Sequence, residues 1–310
     1  MSHRSTAKNL KGSQEMNNPN CLAILSSAVI GALFGVSPAF AAPVLGPALG
    51  SFAVLAATGV TNVPVSTIGG NLGSAANPSV GGGYIFTSGS FQQNNALAQQ
   101  AQLDLDAAIV AVNADAAPAA NVIAAGNGNL DAFNFGVFAP GIYDVGAGTS
   151  NLLKTITLNG GGSSTAVWRF RFSSTFIMSE GSKVNVTNVG NGSGVGIYWS
   201  VNSAATLDGD TLVGNVLARQ LISSNGGLTL GCGRLASAEA QVTLIRDTIS
   251  LGCGVLGSTG FGSGGYDQGG LTGSGGTGGS GGLVVNGVPE PGTLLLAGFG
   301  LAGLLASRKR

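Results

Sequence analysis

Histidine, charged residues and aromatic residues are all scarce in this chain of 310 residues. The single histidine, His3, lies in a predicted leader, which excludes Ser-His and Cys-His catalytic pairs and histidine-ligated zinc from the exported protein. Only 8% of the residues are charged and the formal net charge is +0, whereas nucleic-acid binding requires clustered Lys and Arg. We therefore predict no metal, no cofactor and no nucleic-acid partner.

Glycine and short strand-like triplets are abundant instead. Glycine contributes 54 residues, and the hydrophobic fraction is 44% with only 6% aromatics, which suits a core of small and β-branched side chains. Apolar-polar-apolar triplets recur at residues 205–207, 228–230, 242–244 and 249–251, separated by Gly, Asn, Asp and Ser. This period is typical of β-strands, and strands this short bury a face only if successive turns of chain stack. The sequence predicts a mainly β solenoid, a parallel β-helix.

Alternation within the triplets points their middle residues outward. When the triplets are laid one on another, the first candidate face carries Thr157, Ile177, Thr206, Ser223 and Thr243. The second candidate face carries Lys183, Thr211, Thr229 and Ser250. Threonine is also common on exposed strands because of its β propensity alone. Each of these hydroxyl residues can therefore be explained either by a binding role or by strand propensity.

A helix is predicted at about residues 94–112, where Ala, Gln, Leu and Asp replace glycine. Its apolar stripe consists of Leu97, Ala101, Leu105, Ala108 and Val112, at helical spacings of three and four. Asp104 and Asp106 lie two residues apart on different faces of this helix, so they cannot form a catalytic pair. We expect both carboxylates to be solvated.

Two cysteines occur in matching Leu-Gly-Cys-Gly phrases, at Cys232 and Cys253. If the phrases stack on adjacent turns, a strand spacing of about 4.7–4.9 Å brings the two Cα atoms within disulfide range. Disulfides persist in exported proteins, so we predict a Cys232–Cys253 bridge. Two buried thiols are the alternative.

The sequence predicts a targeting segment at each end of the chain, with one domain between them. Residues 1–41 are a predicted signal peptide, 42–255 the solenoid domain and 256–287 a Gly/Ser-rich linker. Residues 288–310 contain Pro289, Glu290 and Pro291, then a short apolar run and a basic end. This segment resembles the PEP-CTERM sorting signal of Gram-negative bacteria. The resemblance implies transient inner-membrane anchoring, cleavage by an exosortase-type enzyme, and delivery to the cell surface or the exopolysaccharide matrix.

Residues 45 to about 254 resemble the ice-binding-like (antifreeze) domain family. The resemblance is carried by phrases such as 68–73 (Ile-Gly-Gly-Asn-Leu-Gly), 139–143 (Ala-Pro-Gly-Ile-Tyr) and 166–170 (Ala-Val-Trp-Arg-Phe). It implies a discontinuous right-handed β-helix of triangular section, with one long helix packed alongside. It also implies adsorption to ice through a flat Thr/Ser-bearing face, and thus antifreeze activity or inhibition of ice recrystallisation.

The family's binding face often carries Thr-Ala/Gly-x-Thr/Asn, and this chain departs from that pattern. The phrase that begins at Ser203 and ends at Thr206 is close to it, which adds Ser203 to the first candidate face. Leu221, Gln241 and Ile177 interrupt the corresponding phrases.

Two other functions are compatible with parts of this sequence. One is a non-enzymatic surface or matrix protein that contacts exopolysaccharide or neighbouring cells through the same fold. The other is a polysaccharide lyase or hydrolase, which needs converging acids and bases. The available candidates, Asp208, Asp210, Glu239, Arg246 and Asp247, are scattered along the chain. We therefore predict that the protein is not an enzyme.

Overall fold

A computed structural model describes residues 44–76, 80–124, 128–148, 151–190 and 195–252. The predicted signal peptide, linker and sorting segment lie outside these residues. The described part is mainly β, with short parallel strands and two α-helices. In chain order the strands are β1 (Phe52–Ala56), β2 (Val60–Val63), β3 (Ser66–Gly69), β4 (Asn71–Ser74), β5 (Tyr84–Ser88), β6 (Phe91–Gln93), β7 (Val122–Ile123), β8 (Val137–Phe138), β9 (Gly141–Val145), β10 (Thr155–Asn159), β11 (Val167–Phe172), β12 (Phe176–Met178), β13 (Lys183–Thr187), β14 (Gly196–Val201), β15 (Ala205–Leu207), β16 (Thr211–Ala218), β17 (Ile222–Ser224), β18 (Thr229–Ser237), β19 (Val242–Ile245) and β20 (Thr248–Ser250). The helices are α1 (Pro47–Gly50) and α2 (Ala96–Asn113), with 3₁₀ turns at Ala119–Asn121 and Phe133–Gly136.

The strands stack in three parallel series, which we call faces A, B and C. Face A runs β6-β4-β1-β18-β16-β14-β11-β9-β7, and face C runs β8-β10-β13-β16-β18-β20-β3-β5. Face B is a separate sheet with the order β12-β15-β17-β19-β2. The long strands β16 and β18 cross from face C to face A at Gly214 and Gly233. A Cβ on Gly233 would lie 1.7 Å from the Gly214 carbonyl oxygen, so this close crossing requires glycine.

The spatial order of the strands differs from their order in the chain. The N-terminal strands β1 to β3 pair with the last strands, β18 to β20, so Val54 lies opposite Leu235 and Thr61 opposite Thr243. After β6 the chain enters α2 and then begins again with β7 and β8 at the opposite end of the stack. The 18 residues of α2 span about 27 Å, the height of five to six strand spacings of about 4.8 Å.

Helix α2 packs on the outer side of face A. It begins at Ala96, where Asn95 accepts a hydrogen bond from the Ala98 amide (2.9 Å), and its buried residues are Ala98, Ala101, Leu105, Ala108, Ile109 and Val112. The prediction of Leu97 on the apolar stripe was wrong, because Leu97 is 37% exposed and Ala98 takes its place. No helix within the described ranges has the length and apolar character of a membrane span.

Helix α1, which the sequence did not predict, packs against α2 and against β1 of face A. Asp104 of α2 accepts hydrogen bonds from the amides of Ala48 (2.9 Å) and Leu49 (3.1 Å). The expectation that Asp104 is solvated was therefore wrong, since unpaired amides at a helix start attract a carboxylate. The buried Arg234 donates to the carbonyl of Leu49 and to Asn215 (2.8 Å), and burial lowers the pKa of Arg234 to about 9.

Aromatic rings stack along the interior between the faces. The Trp199 ring lies parallel to Phe170 at 4.5 Å and to Phe176 at 5.4 Å, with interplanar angles of 9° and 5°. The Trp199 indole donates to the Val213 carbonyl at 2.8 Å, so its polar atom is paired inside the core. These rings join two successive strand layers, because Phe170 and Phe176 belong to one turn of the chain and Trp199 to the next.

We predict that Trp199→Ala lowers the free energy of unfolding by about 3–5 kcal/mol, because it leaves a cavity between two rings. Urea unfolding of the full chain measures this. The control is Val110→Ala on the exposed side of α2, where Val110 is 67% exposed and the change should stay within about 0.5 kcal/mol. Equal losses in the two variants would contradict the role of the aromatic stack.

Candidate functional site

The outward side chains of face B form one continuous file. In four of its five strands both flanking residues are buried and the middle residue points outward, whereas in β2 Val60 is buried, Thr61 is exposed and Asn62 is half-buried. The strand register places the outward residues side by side in the order Ile177, Thr206, Ser223, Thr243 and Thr61, which we call the B file. Four hydroxyl-bearing side chains thus follow one another on adjacent strands, and Ile177 ends the file.

The hydroxyls of the B file are close enough to interact. Thr61 donates to the Oγ1 of Thr243 at 3.1 Å, across two strands that are 182 residues apart in sequence. Ser203 lies beside the file and donates to Gln220 of the next layer at 3.2 Å. The strand spacing of about 4.7–4.9 Å sets the interval between the backbones of neighbouring file residues, and the stiff χ1 of threonine limits how far each hydroxyl departs from that interval.

A second file runs along face C. The register aligns Lys183, Thr211, Thr229, Thr248 and Thr67, which we call the C file. Its four threonines are all half-buried and lie on consecutive strands. Lys183 pairs with Asp210 at 3.4 Å at one end of this run.

Two predicted site residues lie elsewhere. Thr157 does not belong to the first candidate face: it lies in β10 on face C, opposite Val137 and Asn185. The triplet pattern predicts that the Thr157 side chain points outward, but it does not predict which strands lie beside β10. Ser250 is outward on face C but lies opposite Gly69, and the residue aligned with Thr229 is Thr248, two positions earlier. The other candidates, Thr206, Ser223 and Thr243 in one group and Thr211 and Thr229 in the other, are brought together.

Three file residues were missed by the sequence reasoning: Thr61, Thr67 and Thr248. Thr61 and Thr67 lie in the N-terminal strands, whose position against β19 and β20 is created by the discontinuous stacking. The alternation of apolar and polar residues in these strands could have predicted that Thr61 and Thr67 point outward, because their neighbours Val60 and Ile68 are buried. The predicted disulfide stays a prediction: Cys232 is buried, and Cys253 lies outside the described residues.

The connection between faces B and C is fixed from inside by Asp247. Its carboxylate accepts hydrogen bonds from the Ser224 hydroxyl and from the amides of Leu228 (3.0 Å) and Ile245 (2.9 Å). Desolvation raises the pKa of Asp247 despite these hydrogen bonds. Because it is buried and only 1% exposed, Asp247 is a structural carboxylate of the turn.

The other acids and bases weighed for catalysis are also paired or dispersed. Asp210 pairs with Lys183, and Glu239 lies 3.8 Å from Arg219. A cavity of about 510 Å³ at the end of α2 contains Arg171 and Asp144, but these pair with each other at 2.6 Å. Within the described part of the chain, no three His, Cys, Asp or Glu residues are grouped so as to hold a metal ion. The geometry that stands out is therefore the two hydroxyl files.

Comparison with protein families gives two matches. Residues 54–250 match the model of the ice-binding-like family, which is more than half of the chain. This chain belongs to the ice-binding-like family. Residues 287–310 match the PEP-CTERM protein-sorting motif, which indicates export and sorting to the bacterial cell surface.

Individual members of the ice-binding-like family are similar over most of the domain. An ice-binding protein of Nostoc sp. (strain HG1) is 29% identical over 215 residues, covering 66% of this chain and 72% of that protein. An ice-binding protein of Flavobacterium frigoris (strain PS1) is 29% identical over 213 residues, with coverage of 65% and 74%. The crystal structure of an ice-binding protein from the Antarctic ascomycete Antarctomyces psychrotrophicus is 30% identical, with a TM-score of 0.55 and coverage of 66% and 95%.

We predict that Asp247→Ala lowers the free energy of unfolding by about 3 kcal/mol, because it leaves the buried Leu228 amide and Ser224 hydroxyl without their acceptor. The matched control is Asp210→Ala, which removes only an exposed ion pair and should cost less than about 1 kcal/mol. Thermal or urea unfolding of both variants decides the comparison. A loss for Asp247→Ala no larger than that for Asp210→Ala would show that the turn is held by other groups.

Proposed function

We propose that this chain is an exported ice-binding protein that adsorbs to ice through the B file. The observation that carries this proposal is the register of Thr206, Ser223, Thr243 and Thr61 on four consecutive strands. Each hydroxyl can hold a water molecule, and a file carried on strands with a constant spacing of about 4.8 Å can order those waters as a lattice. The names of the similar proteins, which bind ice, support the same function.

Adsorption to a crystal suits a rigid, repetitive surface. Each hydroxyl contributes little by itself, but the ligand is periodic, so equivalent contacts repeat along the file. Thr206, Ser223 and Thr243 rise from strands whose flanking residues are buried, so docking orders few additional groups. No acid, base or metal takes part, and adsorbed molecules hinder growth of the crystal front.

The proposal also includes the shape of the domain and the order of the segments along the chain. Faces A, B and C are the three sides of a discontinuous right-handed β-helix of triangular section, with α2 alongside. The ice-binding domain extends over residues 42–255, between a signal peptide at 1–41 and the linker at 256–287. The sorting segment at 288–310 anchors the protein transiently in the inner membrane of a Gram-negative cell. An exosortase-type enzyme then releases it to the surface or exopolysaccharide matrix, where ice is its partner.

The test is inhibition of ice recrystallisation by the purified full chain. We expect the wild-type protein to inhibit crystal growth. Thr243→Lys should require a roughly tenfold higher concentration, equivalent to about 1.4 kcal/mol, because a long charged side chain breaks the lattice in the middle of the file. The control, Ala107→Lys, places the same side chain on the exposed side of α2 and should leave inhibition unchanged.

Unfolding midpoints of the variants show whether each remains folded. Normal ice growth and crystal shape at high concentrations of folded wild-type protein would overturn the proposal. The same fold would then serve as a non-enzymatic surface or matrix protein. Equal inhibition by Thr243→Lys and Ala107→Lys would show that face B is not the binding surface.

A further inference from the structure

The hydroxyls of the two files occur on the same layers of the stack. Passing from face B to face C, the chain carries Thr206 then Thr211, Ser223 then Thr229, Thr243 then Thr248, and Thr61 then Thr67. The layer where the B file ends at Ile177 is also the layer where Lys183 interrupts the C file. Strand propensity alone explains a threonine on either face, but it gives no reason for both runs to begin and end together.

Face C is also smooth beside its threonines. The next outward position along these strands is occupied by Val213, Gly231, Ser250 and Gly69. Val213 is buried in the core and the two glycines have no side chain, so the half-buried Ser250 is the one side chain of this row that reaches the surface. The shifts of register in β16 and β18 come after this row, at Gly214 and Gly233, and the run of four threonines is therefore unbroken.

The two faces are fixed relative to each other by a buried hydrogen-bond network at the turns between them. The Asp247 amide donates to the Ser66 hydroxyl (2.9 Å), and Ser66 donates to Asn62 of its own layer (2.7 Å). The Asp247 carboxylate binds Ser224 and Leu228 of the layer on the other side. This network connects three consecutive layers, so the angle between the two files is set by the fold.

We propose that face C is a second ice-binding face, which acts beside face B and binds a different set of ice planes. The proposal rests on the proposed function of face B and extends it. The ligand is the same ordered water lattice, because the C file has the same strand spacing and also presents one hydroxyl on each of four strands. Since the angle between the faces is fixed, each face meets the crystal in its own orientation.

The test uses fluorescently labelled full chain on a single-crystal ice hemisphere, where each bound plane is seen as a separate labelled patch. Thr243→Lys and Thr248→Lys form a matched pair, because both replace a threonine in the same layer and only the face differs. We expect wild-type protein to label two sets of planes and each single variant to lose one different set. The double variant should need at least roughly ten times more protein than either single variant to inhibit recrystallisation.

The outcomes separate this proposal from the proposed function. If Thr248→Lys, shown to be folded by its unfolding midpoint, keeps the wild-type labelling and inhibition, face C does not bind ice while face B remains the site. If either single variant loses all labelling, the files form one composite surface and the separate second face is wrong. If wild-type protein labels no plane, the proposed function itself fails. The control variant Ala107→Lys must label the same ice planes as the wild-type protein for any of these conclusions to hold.

Discussion

Parallel strand stacking at a fixed interval is the constraint on which this structure depends. Each strand donates and accepts backbone hydrogen bonds with the strands on either side, so every side chain lies one strand spacing from its equivalent in the next layer. Inside the stack this brings like residues together, as in the parallel rings of Phe170 and Trp199, which lie opposite each other on β11 and β14. Outside it gives the hydroxyl files, because the same register orders both surfaces of a strand.

The path of the chain adds strands at both ends of the stack. The first strands, β1 to β6, add layers above the last ones, β18 to β20, and α2 then takes the chain to the other end. This arrangement buries both edges of β18 and β20 against neighbours and extends faces B and C by one threonine each, Thr61 and Thr67. The core and both files therefore depend on contacts between distant parts of the sequence.

The helices divide the three faces into one that is covered and two that are open. The outward side chains of face A include Tyr198, Leu217 and Phe52, which are apolar enough to need a cover, and α1 and α2 supply it. Asp104 and Arg234 hold α1 from opposite sides, and Arg171 donates to the carbonyl of Asn113 at the end of α2. Among the residues that the structure describes, the hydroxyl side chains of the B file and the C file are exposed or half-buried.

The sequence by itself determined the strand type, the outward direction of the middle residues, the helix near residues 94–112 and the membership of the ice-binding-like family. These depend on local alternation and on phrases that can be read in order. Only the tertiary structure decided which strands are neighbours: it moved Thr157 to face C, aligned Thr248 in place of Ser250, and set Thr61 beside Thr243. A period of two separates inside from outside within a strand, but it carries no information about the strand next to it. That choice follows from turn lengths, glycine crossings and the discontinuous order of the layers, all of which are long-range.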